Sequence, residues 1–373
     1  MKKIIYFTLS VLTLFSTSTF ASASNSPMGA EEELSSSIAS LCFGHQGYTS
    51  EQLKKIAKLT SSSQEREIPM QGSPKGRDFG YDFSKRNATK TMSLLAIQTC
   101  SLTHPVCYDL GGGYGGDSLN MVLAGGNVTY IEHHPDVAAT ARLEVYGALR
   151  DISVDEKQKK ELWGRLRMVR ADFLDTDNTM LYPKSAQINI CNLSNVLHFL
   201  TPTQIETFLP ALFTKMAPDG IVFASMHVPC DNKKVIDFFL TQKEKGNPYP
   251  GYFRHTRNYE IDGIIEGKGA YRLKERRDFN DAEPALKGDL PGTKISQTFV
   301  PPFPHKPKAV NVKNVIHYFD PDIAAAAFKR AGFTVQKAFF FSRFGEPLEG
   351  VKATKEAFLA GNYHMMIIAS KSK

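Results

Sequence analysis

At 373 residues the chain is long enough for one large domain with an elaboration, or for two domains. Its 45 Lys and Arg against 38 Asp and Glu give a formal charge of +7 with no long basic block, which argues against a dedicated nucleic-acid binder. Beyond the first residues no stretch is apolar for long enough to span a bilayer.

The chain opens with Lys2-Lys3, an apolar run over residues 4–15 and small residues ending in Ala21-Ser22-Ala23. That is the order of a signal peptide, so residues 1–23 are expected to direct export, in a style that looks bacterial. Residues 24–103 read as an N-terminal helical extension. It carries short helices over 34–43 and 51–59, a polar loop over 60–76, and a helix from Asn87 to near Cys100. Asp78-Phe79-Gly80-Tyr81-Asp82-Phe83 has the composition of an aromatic lid over a ligand, or of an ordinary core edge. The cysteines Cys42, Cys100, Cys107, Cys191 and Cys230 show no disulfide framework. Cys107 and Cys191 fall in predicted strands as buried thiols, which leaves a Cys42–Cys100 pair open in an oxidising compartment. His227-Val228-Pro229-Cys230 has no second paired cluster, so no zinc site is predicted.

From residue 104 the chain alternates. Strands are predicted at 106–110, 128–132, 167–171, 187–191 and 221–226. Helices are predicted at 117–124, 136–149, 156–166 and 204–216, the last capped by Thr203. Strands separated by helices predict an α/β fold with a doubly wound, mostly parallel sheet. The alternation stops after Pro229. Residues 228–312 read as an insertion with strand-like pieces at 270–273 and 295–299 but no continuous hydrophobic element. The pattern resumes with a helix at 321–331 and two strands at 334–341 and 364–370, close in sequence and so antiparallel. The core is therefore expected over 104–227 and 313–373, with the insertion placed over one end of it.

In an open parallel sheet, ligands bind beyond the carboxyl ends of the strands. Four segments follow such ends and are expected to converge. They are the loop Gly111-Gly112-Gly113-Tyr114-Gly115-Gly116, Glu132, Asp172, and the run from Asn192 to Leu200. Glycines there let a ligand approach the main chain closely. An acid closing the second strand can accept two hydrogen bonds from a ribose diol.

The series Asp109-x-Gly111-x-Gly113-x-Gly115 resembles the first motif of class I S-adenosylmethionine-dependent methyltransferases, over roughly residues 87–230 and 313–371. The resemblance implies seven strands with the last antiparallel, and S-adenosylmethionine as cofactor. It implies donor contacts from Asp109, Gly111, Gly113, Tyr114 and Gly115. Glu132 falls where the family binds the ribose hydroxyls. Asp172 and Phe173 fall where it holds the adenine amine and ring, and Asn192 where it lines the methionine half. Tyr81 belongs to the segment that closes over the donor in several members. His133 and His134 either flank the adenine or cap the following helix. His198 is placed as a candidate base or as a packing histidine, with Asn195 and His227 nearby. No acid follows the fourth strand in Asn192-Leu193-Ser194-Asn195, so no divalent metal is expected. The glycines also permit Gly-x-Gly-x-x-Gly through Gly111, Gly113 and Gly116, the dinucleotide fingerprint of a nicotinamide enzyme. Asp109, Asp172 and the paired last strands favour methyl transfer. A noncatalytic interaction protein on the same fold is the other alternative. The methyl acceptor, a small molecule or a protein, is not specified by the sequence. S-adenosylmethionine is a cytosolic metabolite, so an exported methyltransferase is expected to act inside a second cell, with host proteins among its partners.

Overall fold

The computed structural model describes residues 43, 46–61, 93–94, 96–97, 100–184, 187–229, 233–265, 270–286, 289–291, 294–297, 309–342, 347–348, 351–360 and 363–372. For 57–61, 255–265, 270–281, 294–297, 309–314, 342, 347, 360 and 363 it describes the backbone alone. The expected leader, the lid residues Phe79, Tyr81 and Phe83, and Cys42 and Cys230 lie outside the described residues.

Helix α1 (Ser50–Ser61) precedes the alternating region. There follow β1 (Val106–Leu110), α2 (Gly116–Leu123), β2 (Asn127–Glu132), α3 (Pro135–Ile152), α4 (Glu156–Gly164), β3 (Leu166–Arg170) and β4 (Ile188–Ser194). A single 3-10 turn (Leu197–Phe199), α5 (Pro202–Lys215) and β5 (Met216–His227) complete the first half. The central strands β1 and β4 are short and buried on both faces, as a sheet covered by helices requires. Cys107 packs into the core on one face of β1, and Tyr108 and Leu110 into the core on the other.

Two boundaries differ from expectation for local chemical reasons. The cap of α5 is Thr201, not Thr203. Thr201 Oγ1 accepts from the Gln204 amide at 3.2 Å, and Gln204 Oε1 accepts from the Thr201 amide at 2.9 Å. Pro202 takes the first helical position, where its missing N–H costs nothing. Helix α3 starts at Pro135 because His134 caps it, its Nδ1 accepting from the Val137 amide.

Five further elements follow the inserted helix α6 (Lys233–Glu244): β6 (Tyr252–Ile265), β7 (Ala270–Pro284), β8 (Lys294–Gln297), β9 (Ala309–His317) and α7 (Pro321–Arg330). The chain then ends through β10 (Thr334–Ser342), β11 (Pro347–Leu348), α8 (Lys355–Ala360) and β12 (Tyr363–Ser370). The main sheet runs β11-β10-β12-β5-β4-β1-β2-β3. β1 is parallel to β2 and β4, β4 to β5, and β2 to β3. β12 is antiparallel to both β5 and β10. This is the seven-stranded order of the class I methyltransferase fold, with the two-residue β11 added at one edge. Its winding reverses between β1 and β4, the switch point at which such sheets open a crevice.

The insertion is more regular than its sequence predicts. It forms a second, antiparallel sheet in the order β7-β6-β9-β8, with β6 paired along both edges. The missing apolar run is explained by that pairing: the ladder, not a hydrophobic stripe, organises the two long strands. Apolar anchoring concentrates at the base, where Phe253 and Val315 are fully buried and Val235, Ile236 and Phe239 of α6 pack into the main core. β9 pairs with β6 as far as His317, so the second sheet continues past residue 312. A polar cluster ties the base down. Tyr249 Oη donates to Glu206 Oε1 at 2.5 Å, and Arg330 donates to the same carboxylate at 2.8 and 3.1 Å.

Gly251 marks the tightest crossing between insertion and core. The Tyr318 amide donates to its carbonyl at 2.9 Å. A Cβ built there would overlap the Tyr318 backbone, which is not the end of a flexible side chain and cannot step aside. Gly251→Ala is therefore expected to destabilise the protein by about 3 kcal/mol or more, as a steep fall in the urea midpoint. A midpoint within error of wild type would show that the two backbones separate freely.

Candidate functional site

The crevice between β1 and β4 is built on the glycine loop. Gly111, Gly113 and Gly115 have φ of 67°, 53° and 80°, a region that side chains disfavour. The loop is pinned from β2: the Gly111 and Gly112 amides donate to the Ile131 carbonyl at 2.8 and 3.2 Å. Tyr130 Oη donates to the Gly113 carbonyl at 2.5 Å. A Cβ on Gly112 would meet the Tyr130 ring at 2.5 Å and Asp109 Oδ2 at 2.9 Å, so the loop is closed tightly over both. Gly115 caps α2 in the left-handed conformation, and Tyr114 is half-buried between these glycines.

Beneath the loop lies Asp109, 1% exposed. Ser118 Oγ donates to its Oδ2 at 2.6 Å, and Asn192 Nδ2 donates to its Oδ1 at 2.9 Å. Asn192 Nδ2 also reaches Asp117 Oδ2 at 3.0 Å. Burial, and next the Asp117 charge, push the Asp109 carboxyl up to about 7, against the hydrogen bonds from Ser118 and Asn192. Asp117 was not singled out from sequence. Its signal was an acid in the first turn of the helix after the glycines, a position that reads as ordinary dipole compensation.

Glu132 closes β2 and is 6% exposed. Its Oε2 accepts from the Gly113 amide at 3.2 Å and its Oε1 from the His134 amide at 2.9 Å. His133 Nδ1 lies 3.0 Å from Oε1. Burial alone would raise this carboxyl; the His133 ring and the two amides outweigh it and hold it below the usual carboxylate value. It is thus an anion at neutral pH, fixed beside the glycine loop. Of the two histidines, His134 caps α3, while His133 sits against Glu132.

Asp172 is exposed after β3, with its Oδ1 accepting from the Leu174 amide at 2.9 Å. Phe173 differs from expectation. It is 6% exposed and packs edge-on against Phe208 at 5.2 Å, so its ring is taken up by the core. The segment is drawn inward by Tyr182, whose Oη donates to the Phe173 carbonyl at 2.7 Å.

At the end of β4 the chain turns sharply through Asn195, which has φ of 55°. Its amide donates to the Ser225 carbonyl at 3.0 Å and to Ser225 Oγ at 3.1 Å, so the turn is fastened to β5. Asn195 Oδ1 and His198 Nδ1 are buried with no hydrogen-bond partner. His198 contacts His227 at 4.2 Å between ring centroids, and His227 contacts His364 at 5.0 Å. His364 was missed from sequence; the antiparallel register of β12 on β5 sets it directly opposite His227. His317 lies nearby, its Nδ1 2.7 Å from the Leu200 carbonyl. Burial leads in lowering all four imidazoles: His198 well below its ordinary value, His227 to about 3, and His317 and His364 to about 4. They form a neutral wall at the carboxyl edge. His198 is therefore a much weaker proton acceptor than its position in the sequence suggests.

Among the described residues no group of three or more His, Cys, Asp or Glu has the geometry to hold a metal ion, and no helix is long and apolar enough to cross a membrane. Cys100, Cys107 and Cys191 are free thiols. A cavity of about 640 Å³ lies between α7 and the β10–β11 edge, lined by Asp322, Lys337, Phe340, Leu348 and Lys352. It is several strands from the glycine loop, at the other side of the sheet.

No protein-family model and no curated protein matches the chain. Solved structures do resemble it. A glycopeptide N-methyltransferase crystallised with S-adenosylmethionine is 13% identical, with 76% of this chain and 94% of that one covered and a TM-score of 0.39. A SAM-dependent methyltransferase from Methanosarcina mazei is 14% identical over 73% of this chain and 94% of that one, with a TM-score of 0.39. Magnesium protoporphyrin IX methyltransferase from Synechocystis PCC 6803, with bound S-adenosylhomocysteine, is 10% identical over 76% and 81%, with a TM-score of 0.38. The strand order, rather than these scores, identifies the class I methyltransferase fold.

Proposed function

We propose that this protein binds S-adenosylmethionine between β1 and β4 and transfers its methyl group to an acceptor held at the carboxyl edge near β4 and β5. The observation that carries the reading is the pairing of a buried carboxylate, Asp109, under the glycine loop with a fixed anion, Glu132, beside it. An acid at Glu132 suits the ribose of a dinucleotide as well, but a pyrophosphate at the glycine loop would be repelled by Asp109 and Asp117 beneath it. A donor with two ribose hydroxyls and positive charge matches both acids.

The residues fit such a group. Asn192 Oδ1 is buried without a partner at the same crevice. The glycine loop would carry the donor against its main chain, Glu132 would accept from the ribose hydroxyls, and Asp172 would take the adenine amine. When bound, the donor supplies a methyl group already activated by its sulfonium charge. The chain's own residues then have to align the acceptor and exclude water. The neutral imidazoles of His198 and His227 present hydrogen-bonding and apolar surface without added charge. Because burial weakens His198 as a base, the acceptor that suits this wall is one already nucleophilic near neutrality. The insertion, anchored at Phe253 and His317, supplies the remaining acceptor contacts.

The leader expected over residues 1–23 adds an address. Export by a bacterium, followed by methyl transfer inside a second cell that contains the donor, reconciles the leader with the chemistry. Tagged protein found only in the producing cell's cytosol would remove that part of the proposal.

The direct test is calorimetric titration with S-adenosylmethionine and, separately, with NADH. Micromolar binding of the first and none of the second is expected. The reverse, or binding of neither, would end the methyltransferase reading.

A further inference from the structure

β10 is only half covered by its own sheet. It pairs with β12 from Thr334 to Ser342, past a bulge at Gln336, whereas β11 covers its other side at Phe340 and Phe341 alone. Among the described residues, no strand lies beside β10 on that side from Thr334 to Phe339. That is about 20 Å of backbone, the length of an ordinary strand. Unpaired amides and carbonyls along such an edge are a template for a further strand. The cavity of about 640 Å³ opens beside this stretch, with Lys337, Ala338 and Phe339 in its lining.

Side chains alternate along β10, so the two sides of this edge differ in chemistry. Ala338 and Phe340 turn to the core on the α7 side, where Leu348, Val351 and Ala353 pack as well. Lys337 and Phe339 share the opposite side, with Lys337 Nζ 5.0 Å from the centroid of the Phe339 ring. Lys352 is exposed at the mouth of the cavity. The acid in the lining, Asp322, accepts from Lys243 Nζ at 2.8 Å, which offsets its charge. The edge is thus apolar on one side and cationic on the other.

We propose that this edge docks an extended segment of a partner protein in which apolar and acidic residues alternate, added to the main sheet as a strand beside β10. Its apolar residues meet Ala338, Phe340, Leu348 and Val351 on the α7 side, and its acids meet Lys337 and Lys352. Main-chain hydrogen bonds supply the affinity, and the alternation of cavity and cation supplies the selection. A second copy of this chain is a poorer occupant, because it would bring its own Lys337 to an edge that already carries one. The edge is several strands from the glycine loop, so the docking does not depend on the methyl-donor reading.

The probe is a short fluorescein-labelled peptide of alternating Glu and Val, titrated with the whole chain and read by fluorescence anisotropy. Saturable binding is expected, and none for the matching Lys-Val peptide. Lys337→Glu combined with Lys352→Glu is expected to weaken the Glu-Val peptide about 10-fold with an unchanged melting temperature. Backbone N-methylation of the peptide, at the valines in one version and at the glutamates in another, blocks one strand edge at a time. One version should lose binding and the other keep it. Binding of both versions as tight as the parent's would overturn strand addition, and equal binding of the Glu-Val and Lys-Val peptides would overturn the role of the lysines. No binding of the Glu-Val peptide by wild type overturns the proposal whether or not the lysine variant folds. A wild-type dimer in sedimentation velocity that excludes the peptide would give the edge to a second copy instead.

Discussion

Glu132→Ala is expected to weaken S-adenosylmethionine binding about 100-fold, the largest loss from any single change in the crevice. The carboxylate is anionic, 6% exposed and already aligned by the Gly113 and His134 amides. Two charge-assisted hydrogen bonds to a ribose diol contribute about 3 kcal/mol after desolvation, which corresponds to about 100-fold. Glu132→Gln keeps the shape but puts an N–H where one of those two amides now donates. It should therefore fall between wild type and alanine. Both variants also lose part of the anchor on the glycine loop, so a thermal melt has to accompany the titration. Binding by Glu132→Ala within error of wild type would mean that the ribose does not sit at β2.

The second large effect is a loss of stability in mild acid. The half-buried His198, His227 and His364 pack against one another with the buried His317 nearby, and burial lowers each below the ordinary value of 6.5. Above pH 6.5 they are neutral in the folded and unfolded chain alike, and pH does not act through them. Below it the unfolded chain takes up protons that the folded chain refuses. Each histidine then costs about 1.4 kcal/mol per pH unit until its folded value is reached. Asp109 works in the opposite sense between about 7 and its unfolded value of 3.8, because the folded chain holds a proton that the unfolded chain releases. Burial raises Asp320 in the same sense, and these two carboxyls against four imidazoles leave acid destabilising. Urea midpoints should fall steeply from pH 7 to pH 5, and His227→Gln should flatten the dependence. Midpoints independent of pH over that range would show that the wall is open to solvent.

The parallel half of the main sheet was legible from sequence because its signals are local. Strands such as β1 and β4 are short, mostly apolar runs, helical segments separate them, and glycines or acids mark the turns. The rule that open parallel sheets bind ligands beyond their strand ends then pointed to the end that carries the glycine loop. The cap of α5 was misplaced by two residues because Thr201 and Thr203 both suit a cap. The choice fell to Gln204, whose side chain reaches back only to Thr201. The resemblance implied a ligand contact at Phe173, but its ring packs into the core against Phe208.

The insertion was legible least. Its strands are held by hydrogen bonds between segments far apart in sequence, and a backbone ladder leaves no periodic trace in side chains. The partners of the site were hidden for a related reason. Asp117 and Asn192 are 75 residues apart, and only the parallel pairing of β1 with β4 brings them to 3.0 Å. His227 and His364 face each other only because β12 runs antiparallel to β5. The sequence by itself thus determined the elements of the sheet, the glycine loop and the acids Asp109 and Glu132, all written within a few residues of a strand end. Tertiary structure alone decided which groups share a charge environment: the Asp109–Asn192–Asp117 bridge and the neutral histidine wall. Desolvation and through-space charge depend on neighbours that the strand order selects, and a one-dimensional pattern does not carry them.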